Sequence, residues 1–251
     1  MFRHSLLKTL LTVALPLLTF PARAADEPPL PLKEFLVGAQ PPDIPPPRIG
    51  GIEMDLIPVP PDGKSPVVGY APTISYSYLR KHITVTANML VLPPLRDGEV
   101  VPTAGRLYRI TGAGRPTVFR WLPPASLPAG LKAVQADSLF VPVQRHQFGS
   151  TEFPGNTSLA LVRIEQEAEG KKALIAELEY RGLGDKSLGR AKVREGDVVS
   201  VGKLGGFVVR SIVPPDDKAK ILGWVELSSK PILGDDLRKL KPAAIRLGSP
   251  E

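Results

Sequence analysis

The chain has 251 residues, a formal net charge of +7, 29 prolines and no cysteine. The lack of cysteine excludes thiol catalysis, zinc–thiolate sites, disulfide bonds and a lipid anchor on an N-terminal cysteine. The length suffices to bury a core without a metal or disulfide. So much proline argues against a helix-rich enzyme, because each proline removes a helical amide donor.

The first 24 residues have the pattern of an export signal. Arg3 and Lys8 precede a mostly apolar run at 9–20, and small residues at 22 and 24 fit a cleavage site. The run is shorter than the roughly 20 residues of a membrane span, so we expect cleavage; an uncleaved anchor is the alternative. Cleavage lowers the net charge from +7 to +4, because three cations and no acid leave with the signal.

These features predict an exported protein, periplasmic or extracellular, without a stable membrane span after cleavage. A charge of +4 on the remaining chain is too modest for a nucleic-acid surface. It suits a loose attraction to an acidic surface of the cell envelope. We therefore expect an envelope protein or the cell wall as the partner, and no nucleic acid.

Residues 25–72 are predicted to form a proline-rich leader. Thirteen of the prolines lie here, and such density favours an extended, semi-rigid backbone. Residues 52–56 alternate apolar and acidic side chains, which predicts a single strand added to the edge of a sheet. A spacer that projects the folded part from a surface and a disordered leader both fit this composition.

From residue 73 onwards the chain is predicted to be mostly β, with little helix. We expect one or two small antiparallel modules, barrel-like or sandwich-like, at 73–143 and 156–233. Residues 158–166 and 173–180 both alternate with a period of two, which predicts a hairpin. Residues 234–251 are predicted to be a short helical turn and a tail, because two acids precede two bases as the helix dipole prefers.

The stretch at 194–227 has a fainter copy at 96–122. Both begin with Arg-acid-Gly-acid-Val-Val and continue with a second β run. A third run in each carries one of the two tryptophans, Trp121 and Trp224, and we expect these to hold equivalent places. An acid–glycine turn before valines is typical of a strand start, so a small antiparallel meander is predicted twice. A true duplication and two generic turns both remain open.

No catalytic, cofactor-binding or metal-binding motif is complete, so no catalytic residue, cofactor or metal ligand is predicted. After removal of the signal only His82 and His146 remain, without the spacing of metal ligands. A hydrolase would need His146 to contact both a nucleophile and an orienting acid. The polar residues that could complete such a site are Ser150, Glu152, Asp137 and Ser187.

Five residues are candidates for a binding surface. Tyr76, Tyr78 and Arg80 form an aromatic and basic stretch, and tyrosine and arginine often anchor protein interfaces. The alternative is that the tyrosines cover the edge of a core. Trp121 and Trp224 are expected to pack in cores, with a shared ligand groove as the alternative.

Residues 193–227 resemble the small periplasmic β-domains of pilus-assembly and type II secretion inner-membrane proteins. The similarity lies in the Glu-Gly-Asp turn, the glycine-led second strand and the short third strand. Those proteins also place a Pro-rich linker after a membrane segment, whereas this chain has a signal predicted to be cleaved and a second module. The resemblance implies a subunit of a pilus-assembly or secretion apparatus.

The leading interpretation of the sequence is non-enzymatic. We expect an exported cell-envelope binding or structural module that contacts another protein or the cell wall. Export, a spacer, small β-modules and incomplete catalytic motifs all favour it. The alternatives are the apparatus subunit and a periplasmic hydrolase with a site centred on His146.

Overall fold

A computed structural model describes most of the chain after the predicted signal and leader. The described residues are 33–37, 48–49, 52–59, 69–80, 83–103, 105–114, 116–167 and 173–248. The predicted signal, most of the predicted leader and His82 lie outside these ranges. Within them the protein is mostly β, with one short α-helix. The expectation of an antiparallel β protein with little helix is confirmed.

The described strands fall into two successive groups of eight and a tail. The first group is β1 (Glu34–Val37), β2 (Arg48–Ile49), β3 (Ile52–Val59), β4 (Gly69–Arg80), β5 (Ile83–Val91), β6 (Val100–Thr103), β7 (Arg106–Gly112) and β8 (Thr117–Trp121). The second group is β9 (Ser138–Pro142), β10 (Ser150–Phe153), β11 (Thr157–Gln166), β12 (Leu174–Arg181), β13 (Ser187–Val193), β14 (Val198–Val201), β15 (Gly205–Val213) and β16 (Trp224–Ser228). The tail holds helix α1 (Gly234–Arg238) and β17 (Ile245–Leu247).

These strands form three sheets. The first has the order β1-β8-β7-β6, the second β13-β12-β11-β10-β5-β4-β3-β2, and the third β17-β14-β15-β16-β9. The ladders between strands are antiparallel except the parallel pair of β14 and β17. The predicted hairpin is formed by β11 and β12. The predicted strand at 52–56 lies in β3, one place in from the sheet edge, because β2 pairs beyond it.

The second group of strands repeats the pairing of the first. The ladder β2-β3-β4-β5 corresponds to β10-β11-β12-β13, and the sheet β1-β8-β7-β6 corresponds to β9-β16-β15-β14. We call the two groups unit 1, residues 34–121, and unit 2, residues 138–228. Two pairs of register shifts correspond as well: they follow Tyr76 on β4 and Tyr180 on β12, and Ile110 on β7 and Val209 on β15. The shift between β11 and β12 has no counterpart between β3 and β4.

The turn that opens each meander has the same hydrogen bonds. The amide of Gly98 donates to Ile110 O over 2.7 Å, and the amide of Gly196 donates to Val209 O over 2.8 Å. The two glycines have φ of +79° and +87°, a region that side chains disfavour. The predicted meander is therefore present twice.

The two tryptophans do not hold equivalent places in these meanders. In register with the turn, Phe119 of β8 corresponds to Leu227 of β16. Trp121 follows Phe119 at the end of its strand, whereas Trp224 precedes Leu227 at the start of its strand. The expectation of equivalent tryptophans is wrong, because the connection before β16 is longer than the one before β8 and alters the spacing.

Two hydrophobic clusters form the interior. One lies inside unit 1 but also contains four side chains from unit 2: Phe140, Ile221, Leu222 and Trp224. The other lies inside unit 2 and is completed by Leu247 of the tail. Strand pairing joins unit 1 to unit 2, since β5 pairs with β10. It also crosses between the sequence-predicted modules, since β9 pairs with β16. The two units therefore share a core and a sheet.

A buried ion pair fixes the junction between the units. The guanidinium of Arg145 donates to both carboxylate oxygens of Glu99, over 2.6 and 3.0 Å. The Glu99 side chain is only 4% exposed. Removing one partner of such a pair would leave the other charge buried without compensation.

Candidate functional site

The five predicted binding residues lie on three different strands. Tyr76, Tyr78 and Arg80 lie on the second half of β4, and the prediction about their side chains falls outside what the structure describes. Trp224 is fully buried in the core of unit 1. Trp121 packs at the rim of that core, with the Arg106 guanidinium carbon 5.8 Å from its ring centroid.

His146 lies on an exposed, tight turn. The backbones of Arg145 and Phe148 bond to each other across it over 2.8 and 2.9 Å, and His146 has a φ of +49°. The carboxylate of Asp137 instead accepts from Arg210 over 2.7 Å. That hydrogen bond lowers the pKa of Asp137. The polar contacts described for Asp137 therefore serve the fold rather than His146.

The three other acid and hydroxyl candidates lie on strands of the large sheet. Ser150 and Glu152 are on β10, and Ser187 is on β13, the strand next to that of Glu179. Burial raises the pKa of Glu152, and the nearby carboxylate of Asp185 adds to the increase. A raised pKa is a property of general acids. No hydrogen bond among the described residues links Glu152 to His146.

A cleft of about 370 Å³ lies at the far end of unit 2. It is bounded by the β14–β15 turn, by α1 and by the segment that leads into β17. Its floor is glycine backbone, at Gly202 and Gly205. A Cβ on Gly205 would meet the carbonyl oxygen of Ile232 at 2.8 Å, so the tail and the turn approach closely there.

The corresponding groove of unit 1 is nearly filled. It lies beside Gly105 and measures only about 30 Å³, because Leu122, Leu127 and Val134 of the segment between the units occupy it. The segment after unit 2, residues 229–244, has the same length as that segment, residues 122–137. It lines the groove with Leu233 and Leu237 but also with Gly234, Arg238 and two alanines, and the groove stays open.

The cleft is positively charged. Lys203, Arg238 and Arg246 line it and are exposed. Arg238 approaches Asp235 at 3.2 Å, but both side chains are more than three-quarters exposed, so that pair offsets little charge. No Asp, Glu, His or Cys occurs among the described lining residues, and Ser200 supplies the hydroxyl group. The cleft can hold an anion but has no acid–base pair.

The outer face of the large sheet in unit 2 is different, because its cations are paired with acids. Four pairs follow one another there: Arg163–Glu177, Arg190–Glu179, Lys192–Glu165 and Arg194–Glu167. Interspersed opposite charges of this kind form an ordinary solvated face. The cations of this face are therefore largely offset by acids, whereas no carboxylate lines the cleft beside Lys203, Arg238 and Arg246.

The sequence did not identify the three cleft cations. The available signal was the composition of residues 229–246, where five bases accompany two acids. Lys203 lies far from them in sequence, on the β14–β15 turn, and only the fold brings it to Arg238 and Arg246.

Neither a metal site nor a membrane helix is found in the part of the chain that the structure describes. No three His, Asp or Glu side chains there could hold a metal ion together. No helix within those ranges combines the length and the apolar character that crossing a bilayer requires. No protein-family model, curated protein or solved structure shows significant similarity to this chain.

Proposed function

We propose that this protein is an exported, non-enzymatic binding module of the cell envelope, and that its cleft holds a small anionic group of the cell wall. The cleft carries the proposal: three cations converge there, and no carboxylate lines it. Carboxylate and phosphate groups are the anions that lysine and arginine bind best. The predicted export signal supports this proposal, because polymers of the cell wall carry such groups.

The size of the cleft favours a small group over a protein surface. A volume of about 370 Å³ is in the range of small-molecule sites, whereas a stable protein interface buries more than about 1,000 Å². Binding is favoured over hydrolysis because the described lining offers a hydroxyl but no base to activate it. The apparatus subunit and the hydrolase have no comparable observation in their favour.

The test compares two triple variants with the same loss of charge. One removes the cleft cations, Lys203→Ala, Arg238→Ala and Arg246→Ala. The control removes three exposed lysines elsewhere, Lys132→Ala, Lys186→Ala and Lys218→Ala. Each chain, from residue 25 to 251, is sedimented with purified cell-wall material and with anionic lipid vesicles, at low and high salt.

We expect the cleft variant to bind the wall about tenfold more weakly, since three exposed contacts of about 0.5 kcal/mol each give this factor. The control variant should keep most of its binding. Equal weakening in the two variants would mean that net charge alone attracts the chain, and the cleft proposal would be wrong. Binding to vesicles but not to the wall would place the anion on lipid.

A further inference from the structure

The junction between the two units is a strand pairing. β5 of unit 1 and β10 of unit 2 lie side by side, with Leu90 opposite Thr151 and Val91 opposite Ser150. This pairing joins two four-stranded ladders into one eight-stranded sheet. Each of the two strands has a counterpart in the other unit, namely β13 for β5 and β2 for β10.

Those two counterparts are the outermost strands of the same sheet. Among the described residues, β13 pairs with β12 alone and β2 pairs with β3 alone. One edge of the sheet is therefore β13, the counterpart of β5, and the other edge is β2, the counterpart of β10. The two free edges are of the same kind as the two strands that pair at the junction. An edge with unpaired backbone groups is a template for another strand.

The register fixes which residues of β13 correspond to the junction residues of β5. Leu90 faces Ile74 on β4, and Ala191 faces Leu178 on β12. Ile74 and Leu178 are both fully buried core residues before the register shift of their strands. Ala191 therefore corresponds to Leu90, and the next residue, Lys192, corresponds to Val91.

The same comparison shows which residues of β2 correspond to residues of β10. Arg48 faces Glu53 of β3, as Ser150 faces Ala160 of β11. The residues after Glu53 and Ala160 face Ile74 and Leu178 in turn. Arg48 thus corresponds to Ser150, and Ile49 corresponds to Thr151.

We propose that copies of this chain add head to tail, with β2 of one copy pairing with β13 of another. The pairing repeats the internal junction between β10 and β5. It sets Ile49 opposite Ala191 and Arg48 opposite Lys192. Unit 1 of a second copy thus occupies the β13 edge. It contacts unit 2 of the first copy in the same way as unit 2 contacts unit 1 within one chain.

The tail is compatible with this arrangement. It covers the edge of β14, which an incoming unit 1 could not cover. In unit 1, the β6 edge is covered by Ile221 from the long β15–β16 connection of unit 2, which bridges in parallel to Val100. The corresponding β7–β8 connection is only residues 113–116, against 214–223. An incoming unit 1 therefore cannot cover β14, and β17 of the same chain already does.

The tail also leaves the β13 edge open. It passes over the face of β13 that looks into the core, where a Cβ on Gly189 would meet the amide nitrogen of Gly248 at 3.0 Å. On unit 1, which would bring β2 to the new junction, Leu36 of β1 is 45% exposed. In register it corresponds to Phe140 of β9, which is buried in the core of unit 1. The exposed Leu36 is thus a side chain that the repeated junction would cover.

Head-to-tail addition leaves a free β2 edge and a free β13 edge on every open assembly, so further copies can add. Each junction should be weak, because Arg48 and Lys192 are like charges opposite each other. Salt screens that repulsion, so assembly should increase with salt. Wall binding by the cleft should decrease with salt, and the two proposals can therefore fail separately.

The natural absence of cysteine allows a direct test by crosslinking. The variant Arg48→Cys/Lys192→Cys places one cysteine on each edge in the proposed register. Facing residues of antiparallel strands are about 5 Å apart at Cα, which a disulfide can span. Within one chain the two edges are separated by seven strand spacings, about 34 Å, so a bond must join two copies.

Mild oxidation of the purified variant should give a ladder of covalent multiples of the chain. The control Arg48→Cys/Leu188→Cys has an equally accessible cysteine on β13, since Leu188 is 42% exposed, but out of register, and should give little. Equal crosslinking of both variants would mean random collision and overturn the proposal. The unmodified chain should sediment as a concentration-dependent mixture at high salt; a monomer at every concentration would also overturn it.

Discussion

Truncating Trp224 tests whether the two units really share one core. Trp224 is the largest of the fully buried side chains, with 0% of its surface exposed. It belongs to unit 2 by sequence, but it packs among residues of unit 1. Trp224→Ala should therefore destabilise unit 1, although Trp224 itself belongs to unit 2.

The magnitude follows from burial and from the indole nitrogen. Burying about 200 Å² of aromatic surface contributes about 5 kcal/mol at about 25 cal/mol per Å². The Nε1 of Trp224 has no hydrogen-bond partner among the described residues, so its burial costs about 2 kcal/mol that the substitution removes. The net loss of unfolding free energy is about 3 kcal/mol. For a chain of this size the Tm should fall by about 10 °C.

Chemical and thermal unfolding, followed by circular dichroism and by the fluorescence of Trp121, would measure this change. Trp121→Ala serves as the matched control, because Trp121 lies at the rim of the same core; we expect a loss of about 1 kcal/mol. A Trp224→Ala variant that melts within about 2 °C of the unmodified chain would refute the shared core.

Two carboxyl groups should change stability with pH in opposite directions. Burial would raise the pKa of Glu179, but hydrogen bonds from neighbouring arginines outweigh it and hold that pKa low. Its stabilisation is present above the unfolded pKa of about 4.3 and is lost as pH falls, so Glu179→Gln should destabilise at pH 7 more than at acid pH. Burial raises the pKa of Glu152, so Glu152→Gln should raise the urea midpoint at pH 7 and leave it unchanged in acid. A lower midpoint for Glu152→Gln at pH 7 would contradict this reasoning.

The sequence predicted the parts of the fold that depend on local pattern. The hairpin of β11 and β12 was visible because its residues alternate strictly, and the two Arg-acid-Gly-acid turns because their chemistry is short-range. Strand β1 was not visible, since Glu34–Val37 is a short apolar stretch within a proline-rich segment. Only its pairing with β8 makes it a strand, and that pairing links residues at least eighty positions apart.

The sequence revealed the repeat of eight strands only in part, because the repeat also depends on pairing between distant residues. Corresponding strands keep their pairing partners but neither their residues nor their burial. The buried Leu90 corresponds to the partly exposed Ala191, and the exposed Leu36 corresponds to the buried Phe140. The cleft was hidden because it depends on how residues 229–244 fill a groove, which no local pattern records.

The two copies of the Arg-acid-Gly-acid turn differ in their fourth residue, and this difference matches their positions. One turn lies at the junction between the units and the other at the free end of unit 2. In both copies the acid at the fourth position accepts a hydrogen bond from the backbone amide of the arginine at the first, over 3.1 Å at Glu99 and 2.7 Å at Asp197. Glu99 is one methylene longer, and its carboxylate also binds Arg145 of unit 2 in a buried pair. Asp197 at the free end remains half-buried. The shorter acid suffices for the turn alone, whereas the longer acid serves the turn and the junction together.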